Sequence, residues 1–351
     1  MTSPSLTLAD FGWTNFFQTQ LSIEDTETLT PRRVSEVHRR EFETVGMAGP
    51  ARLHLSGKLA EHGLTVGDWV LVENGTEHAI GVLDRKSLLQ RRAAGDQPVS
   101  QLIAANIDTL LIVSSCNEDY NTARIERYVA LARQAGVDPV LILTKADLCE
   151  DPEAFRQRAQ QDIKDLLVET VDAKSPDTVA RLAPWCTKGQ TLALIGSSGV
   201  GKTTLMNLLA GRNEKTLDTR EDDAKGRHTT TARSMYPMPT GSWMIDTPGM
   251  RALRLFDVGD GVEIVFQDIA DLARNCRFAD CAHETEPGCA IKAAIEADEL
   301  DPARLKRWQK LQLEDSRNSA TMAQRHARDR HVERLYKGGR ERGKAKRGPS
   351  R

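Results

Sequence analysis

Apolar positions change their spacing as the chain proceeds, and each change marks a different kind of element. In residues 1–32 they cluster as Leu8, Phe11, Trp13, Phe16, Phe17 and Leu21. That cluster predicts a short amphipathic leader docked on the body of the protein, because so many rings left in water would form a costly patch. Residues 22–31 are polar and acidic and read as a loop. Between residues 33 and 92 short runs alternate: Val34-Ser-Glu-Val-His38, Ala51-Arg-Leu-His-Leu55, Asp68-Trp-Val-Leu-Val72 and Ala79-Ile-Gly-Val-Leu83. Gly46, Gly57, Gly67 and Asn74-Gly75 separate them as turns. Several short strands in so little chain predict a small closed β-barrel of the OB type over residues 33–100. Such a barrel serves either as a nucleic-acid binder or as a docking module.

Residues 85–101 are basic and polar, with Arg85, Lys86, Arg91 and Arg92, and read as a linker or a phosphate-facing loop. The pattern then turns uniformly apolar. Asp108-Thr-Leu-Leu-Ile-Val113 and Pro139-Val-Leu-Ile-Leu143 read as buried strands. Between them Asn121 caps a helix carrying Ile125, Tyr128, Val129 and Ala132 and ending at Gly136. Strand, helix and strand in that order predict a parallel sheet. Thr191-Leu-Ala-Leu-Ile195 and Ser242-Trp-Met-Ile245 add strands, and Leu205, Leu208 and Leu209 recur at helical spacing. Asp301-Pro302 opens further helices that run, with a break near 316–319, to about residue 336.

Size and composition narrow the class. The chain has 351 residues, 39% hydrophobic and 28% charged, enough for several domains with proper cores. No apolar run approaches the ~20 residues of a membrane span, and no secretory signal is visible. A cytoplasmic protein without membrane contact is therefore expected, with its six cysteines reduced; a monomer is expected as well. Net charge is −2 but unevenly placed: residues 1–31 hold acids and no Lys or Arg, while residues 337–351 hold seven basic side chains against Glu341. That tail cannot form a core and is expected to be disordered and drawn to phosphate backbones.

The chemistry centres on Gly196-Ser197-Ser198-Gly199-Val200-Gly201-Lys202-Thr203, which fits G-x-x-x-x-G-K-[ST] at every fixed position. A strand enters it and a helix leaves it, as phosphate cradling requires. Lys202 would reach the β- and γ-phosphates and Thr203 would bind Mg²⁺. At the end of an earlier strand lies Thr144-Lys145-Ala146-Asp147. The Asp147 carboxylate can accept from both N1–H and the exocyclic amine of guanine, donors that adenine lacks there. Val171-Asp-Ala-Lys174 stands where a second base-contacting loop is expected, but is too short to be specific. Gly226-Arg227-His228-Thr229-Thr230-Thr231 offers a Thr to complete a Mg²⁺ shell, or is an ordinary polar loop. Asp246-Thr247-Pro248-Gly249 offers a metal-supporting carboxylate and a backbone N–H for the γ-phosphate. The base-reading tetrapeptide precedes the phosphate loop, the reverse of the usual Ras-like order, which a parallel sheet tolerates. Finally, Cys276-x4-Cys281-x-His283-x5-Cys289 supplies three thiolates and an imidazole, the donor set of a closed structural Zn²⁺ site.

Taken together these residues resemble the ribosome small-subunit-dependent GTPase A family (RsgA/YjeQ), the circularly permuted GTPases, over nearly the whole chain. The resemblance implies a multidomain α/β protein: leader 1–32, OB-type barrel 33–100, permuted Ras-like P-loop GTPase domain 101–265, zinc-binding helical domain 266–336 and basic tail 337–351. It implies GTP hydrolysis stimulated by the small (30S) ribosomal subunit, contact with its 16S rRNA, and a role in its late maturation. Nucleotide contacts fall on Thr144, Lys145, Asp147, Ala173, Gly196, Ser197, Ser198, Gly199, Val200, Gly201, Lys202, Thr203 and Thr204. Catalytic roles fall on Lys202, His228, Thr230, Asp246 and Gly249, Mg²⁺ on Thr203 and Thr230, and Zn²⁺ on Cys276, Cys281, His283 and Cys289. Two departures matter. Thr144 replaces the commoner Asn and makes fewer side-chain hydrogen bonds, so modest guanine affinity is expected. Met250 stands where Ras-like enzymes carry a water-orienting Gln, so slow intrinsic turnover is expected. His228 is the nearest candidate to orient water, or is a structural or RNA-contacting residue. The rival readings are an RNA-binding assembly factor whose nucleotide site is structural, and a small-molecule kinase.

Overall fold

A computed structural model describes residues 6–92, 100–212, 233–246 and 258–316. In the leader Phe11 and Phe17 are buried, with Trp13 stacked edge-on to Trp69 at 4.8 Å between centroids. Residues 22–31 are a helix, Ile23–Thr28, running straight into the first strand, β1 (Leu29–Val37), rather than the expected loop. The cause is a reciprocal cap: Asp25 N donates to Ser22 Oγ at 3.1 Å, and Ser22 N donates to the Asp25 carboxylate at 2.9 Å. The acids that look like a loop composition are its first turn.

Strands β2 (Glu41–Val45) and β3 (Ala51–His54) extend the sheet on one side of β1; β4 (Trp69–Glu73) and β5 (Ala79–Val82) extend it on the other, all antiparallel. A helix, Gly57–His62, connects β3 to β4. Val34, Phe42, Leu53, Leu59, Val70, Val72 and Ala79 fill the interior. Among the described residues no ladder joins β3 to β5, so the expected closed barrel is the partly open form. Residues 85–101 correct a second expectation. Residues 88–92 form β6 (Leu88–Arg92), which pairs antiparallel with β7 (Ser100–Ala105), and Leu89 and Ile103 are buried in the pair.

The remaining strands are β8 (Thr109–Ser115), β9 (Asp138–Thr144), β10 (Leu167–Thr170), β11 (Thr191–Gly196), β12 (Ser234–Pro237) and β13 (Trp243–Asp246). They lie in the order β10-β9-β8-β11-β13-β12, with only β12 antiparallel. Side chains alternate between the two faces, as the pleat demands. Leu111, Val113, Val140, Ile142, Leu192 and Met244 form one core layer. Leu110, Ile112, Leu141, Leu143, Ala193 and Ile195 face the other way, into a core that also takes in Phe11, Trp69, Phe266 and Trp308. One apolar core thus runs from the leader to the helix spanning 302–316. The barrel sheet is continuous with this one through the bridge Glu36–Ser234 between β1 and β12.

Arg33 braces the junction. Its buried guanidinium donates to the carbonyls of Phe11 at 2.6 Å, Asn106 at 2.9 Å and Gly67 at 3.4 Å, tying leader, barrel and sheet. Burial lowers its pKa to about 10 against the pull of Asp108 and Asp68, so it stays charged at neutral pH. The fit is backbone to backbone: a Cβ on Gly67, at φ +89°, would lie 2.1 Å from the Ala105 carbonyl oxygen.

At the opposite end the helix spanning 302–316 clasps the helix Thr122–Gln134. Arg307 Nε donates to both Glu126 carboxylate oxygens, at 3.0 and 2.9 Å, and Arg304 lies 3.4 Å from the same carboxylate while pairing with Asp268 at 2.9 Å. Burial pushes Glu126 up to about 7 despite these two arginines.

Replacing Arg33 tests the brace. Arg33→Met keeps volume but strips donors from three carbonyls at a buried joint, and should cost about 3 kcal/mol in denaturant unfolding. Arg33→Lys should recover little, because one ammonium cannot span three acceptors; a loss below about 1 kcal/mol for both variants would contradict the assigned role.

Candidate phosphate-binding site and metal centre

Parallel strands end on the same edge of a sheet, and register fixes which residues stand there. Gly196 of β11 lies opposite Val113 of β8, Ser115 of β8 opposite Thr144 of β9, and Leu143 of β9 opposite Thr170 of β10. Asp246 is one residue beyond the Ala193–Ile245 pair of β11 and β13. The loops carrying 144–147, 171–174 and 197–201 therefore leave from one edge together with Asp246. This is the crevice outside the carboxyl ends of strands, where open α/β sheets take their ligands.

The glycine-rich loop has the backbone its sequence requires. Gly196 has φ +155°, and a Cβ there would sit 2.2 Å from the Val113 carbonyl oxygen. Gly201 is left-handed at φ +89° and opens the helix Lys202–Ala210. Val200, Leu205 and Leu209 are buried and anchor the loop and helix on the sheet. Ser198, Gly199 and Thr203 are exposed, and Ser197, Gly201, Lys202 and Thr204 are half-buried. The Lys202 ammonium bonds the carbonyl oxygen of Ser197 in its own loop.

Thr144 has a role that its residue type does not announce. It is fully buried, and its hydroxyl lies 2.5 Å from the Val200 carbonyl oxygen and 2.9 Å from that of Ser114. With one proton to share between two acceptors, it joins β9 to the glycine-rich loop. Lys145 takes a left-handed conformation, φ +59°, which turns the next residues outward, and Asp147 is exposed at the edge. The second loop comes alongside: Ala146 N donates to the Val171 carbonyl at 3.4 Å. Asp172 orders that loop by accepting from Lys174 N at 2.8 Å, with Ala173 buried between them.

Arg124 escapes the sequence reading. It stands in the first turn of the helix Thr122–Gln134, where Asn121 caps its amide at 2.9 Å, and its guanidinium bonds the Ser197 hydroxyl. The one signal is position: the helix follows β8, the neighbour of β11. His228, Thr230, Gly249 and the basic tail 337–351 lie outside the described residues.

Away from the sheet edge, Cys276, Cys281, His283 and Cys289 converge, their ligand atoms all within 4.8 Å of one another. Cys276 Sγ is 3.9 Å from Cys289 Sγ, and His283 Nδ1 is 3.6 and 3.5 Å from these sulfurs. A tetrahedral ion with bonds of about 2.3 Å to sulfur and about 2.0 Å to nitrogen would set the sulfurs about 3.8 Å apart and nitrogen about 3.5 Å from sulfur. The donor set and its spacing suit zinc. Burial raises the Cys276 thiol, but the amides of Ala290 and Ile291, opening the helix Ala290–Glu296, donate toward its sulfur and bring its pKa below the ordinary value. Glu286, between two ligands, also went unread. Its carboxylate accepts from several backbone amides, its own and that of Ala282 foremost, which hold its pKa down at about 2.

Comparison with known proteins agrees with this arrangement. The RsgA GTPase family model matches residues 82–256. A model of ABC transporters matches residues 183–340, a stretch that includes the same strand, glycine-rich loop and helix. The small ribosomal subunit biogenesis GTPase RsgA of Mesorhizobium japonicum is 49% identical over 323 residues, covering 91% of this chain and 93% of that protein. The small ribosomal subunit biogenesis GTPase RsgA 2 of Vibrio parahaemolyticus is 46% identical over 334 residues, covering 95% and 92%. Among solved structures, YjeQ from Thermotoga maritima superposes with a TM-score of 0.61 at 23% identity, over 81% of this chain and 97% of its own. YloQ, described as a circularly permuted GTPase, gives 0.58 at 23% identity, over 82% and 94%. No helix among the described residues is long and apolar enough to cross a membrane. With near-full-length relatives at this identity, and the strand ending in Thr144 ahead of the glycine-rich loop along the chain, the chain belongs to the RsgA family of circularly permuted GTPases.

Proposed function

We propose that this chain hydrolyses GTP on the small ribosomal subunit, gripping its 16S rRNA while GTP is bound and leaving after hydrolysis. The partner comes from the names of its relatives. The observation that carries the chemistry is the shared sheet edge, with Thr144 holding the base-reading strand against the phosphate loop. Asp147 reads the N1–H and exocyclic amine of guanine, with the Lys145 stem against the base and Ala173 in the adjoining loop. Backbone amides from Gly196 to Thr204 cradle the phosphates, and Lys202 leaves the Ser197 carbonyl for phosphate oxygens, which attract an ammonium more strongly than a neutral carbonyl does. Thr203, at the start of the loop helix, and Asp246, at a neighbouring strand end, offer the oxygen donors that Mg²⁺ prefers. Thr230 would complete that set. The ion would offset phosphate charge. Gly249 offers its amide to the γ-phosphate. Zinc on the three cysteines and His283 has no open position and serves structure. The units at 33–100, 101–265 and 266–336 and the tail 337–351 divide these tasks, with barrel, zinc module and tail toward RNA. The protein works as a cytoplasmic monomer.

GTP turnover with and without purified small subunits tests the proposal, with Lys202→Ala as the blank. Small but not large subunits should stimulate turnover strongly. Absent stimulation with GTP still bound would favour a nucleotide site that only stabilises an RNA-binding fold. His228→Ala should lose most stimulated turnover and keep GTP binding; unchanged stimulated turnover would remove His228 from the mechanism. Thr144→Val, which deletes the hydroxyl at nearly constant volume, should weaken GTP binding by about 1 kcal/mol, roughly fivefold. Unchanged affinity would mean that the Val200 contact does not position the loop.

A further inference from the structure

The loop bearing three of the four metal ligands, 281–289, has a geometry that four isolated ligands would not impose. His283 takes a left-handed conformation at φ +63°, unfavourable for a residue with a Cβ. Something must hold it there, and Glu286 stands in place to do so. Its Oε1 accepts from Ala282 N at 2.9 Å, and its Oε2 accepts from Glu284 N at 2.9 Å and Thr285 N at 3.0 Å. Ala282 and Glu284 lie immediately before and after His283 and Thr285 one residue further on, so one side chain grips the backbone on both flanks of the ligand. Arg277 N donates to the Gly288 carbonyl at 3.1 Å and ties the far end of the loop back beside Cys276.

We infer that Glu286 is a positioning residue that holds the Cys276, Cys281, His283 and Cys289 donors in receiving geometry before an ion arrives. Many small zinc modules are unordered until metal binds, and their metal affinity then carries the whole ordering cost. Here a carboxylate on backbone amides, a strong charge-assisted pairing, meets part of that cost in advance. The ligand atoms stand at the spacing a tetrahedral ion requires. Glu286 need not touch the ion to do this, and its reach ends on main-chain nitrogen. The inference rests on the reading of the cluster as a zinc site.

The test uses the full-length chain stripped of metal, with Zn²⁺ added against a competing chelator and amide exchange followed over 281–289. Glu286→Ala should lower zinc affinity by about tenfold or more, a size typical of residues that orient metal ligands. Glu286→Gln keeps one acceptor oxygen and should fall between. In the metal-free parent the amides of Ala282, Glu284 and Thr285 should be protected, and in metal-free Glu286→Ala they should not. GTP affinity should be the same in all three proteins, which separates a local effect from unfolding. Parent-like zinc affinity in Glu286→Ala, or unprotected amides in the metal-free parent, would overturn the inference. A parent that takes up no Zn²⁺ would overturn the zinc reading and the inference with it. Parent-like affinity in the variant, by contrast, would overturn the inference alone.

Discussion

Because parallel strands all deliver their carboxyl ends to one edge, a sheet of this kind can assemble a site from loops in any chain order. That constraint governs this molecule. The ladders of β9 with β8, β8 with β11 and β11 with β13 fix the heights of Thr144, Gly196 and Asp246 relative to one another, whatever connects them. Opening the chain elsewhere changes the connections and leaves the edge intact. It does change what the last strand leads to. Beyond β13, the Val258 amide donates to the Asp315 carboxylate on the helix spanning 302–316 at 3.1 Å.

Within the edge the hydrogen bonds are economical. Thr144 has a single hydroxyl, shorter than the Asn side chain that stands at this place in many GTPases, and places it against Val200 rather than toward the base. Ser197 is held from both sides, its hydroxyl by Arg124 and its carbonyl by Lys202. Since the helix of Arg124 also carries Glu126, buried under Arg304 and Arg307, the loop and the helix spanning 302–316 bear on one rigid element.

Much of this was legible in the residues because the responsible forces are local. Glycines at 196, 199 and 201, an apolar strand before them and a Lys-Thr pair after them specify a loop through backbone geometry alone. Four metal donors within fourteen residues do the same for the cysteine cluster. What stayed hidden depends on contacts between residues far apart. Arg33 among alternating strand residues carries no sign of three carbonyl partners that lie 22, 34 and 73 residues from it along the chain. Glu126 looks like a surface acid until the arginines at 304 and 307 cover it. The hairpin at 88–105 was obscured by its charge, since Arg91 and Arg92 mask the pairing of Leu88–Arg92 with Ser100–Ala105. In the segment 22–31 the error was local: Ser22 with Asp25 three residues on is a helix-start signal, and the acidic composition drew attention from it.

The central claim is that these permuted loops form a guanine-nucleotide site in which one carboxylate reads the base. Displacement of a fluorescent GTP analogue by unlabelled nucleotides tests it most directly. GDP should compete fully, inosine diphosphate more weakly because it lacks the exocyclic amine, and ADP hardly at all, with that ranking lost in Asp147→Ala. ADP competing as well as GDP, or a ranking unchanged in Asp147→Ala, would contradict the claim.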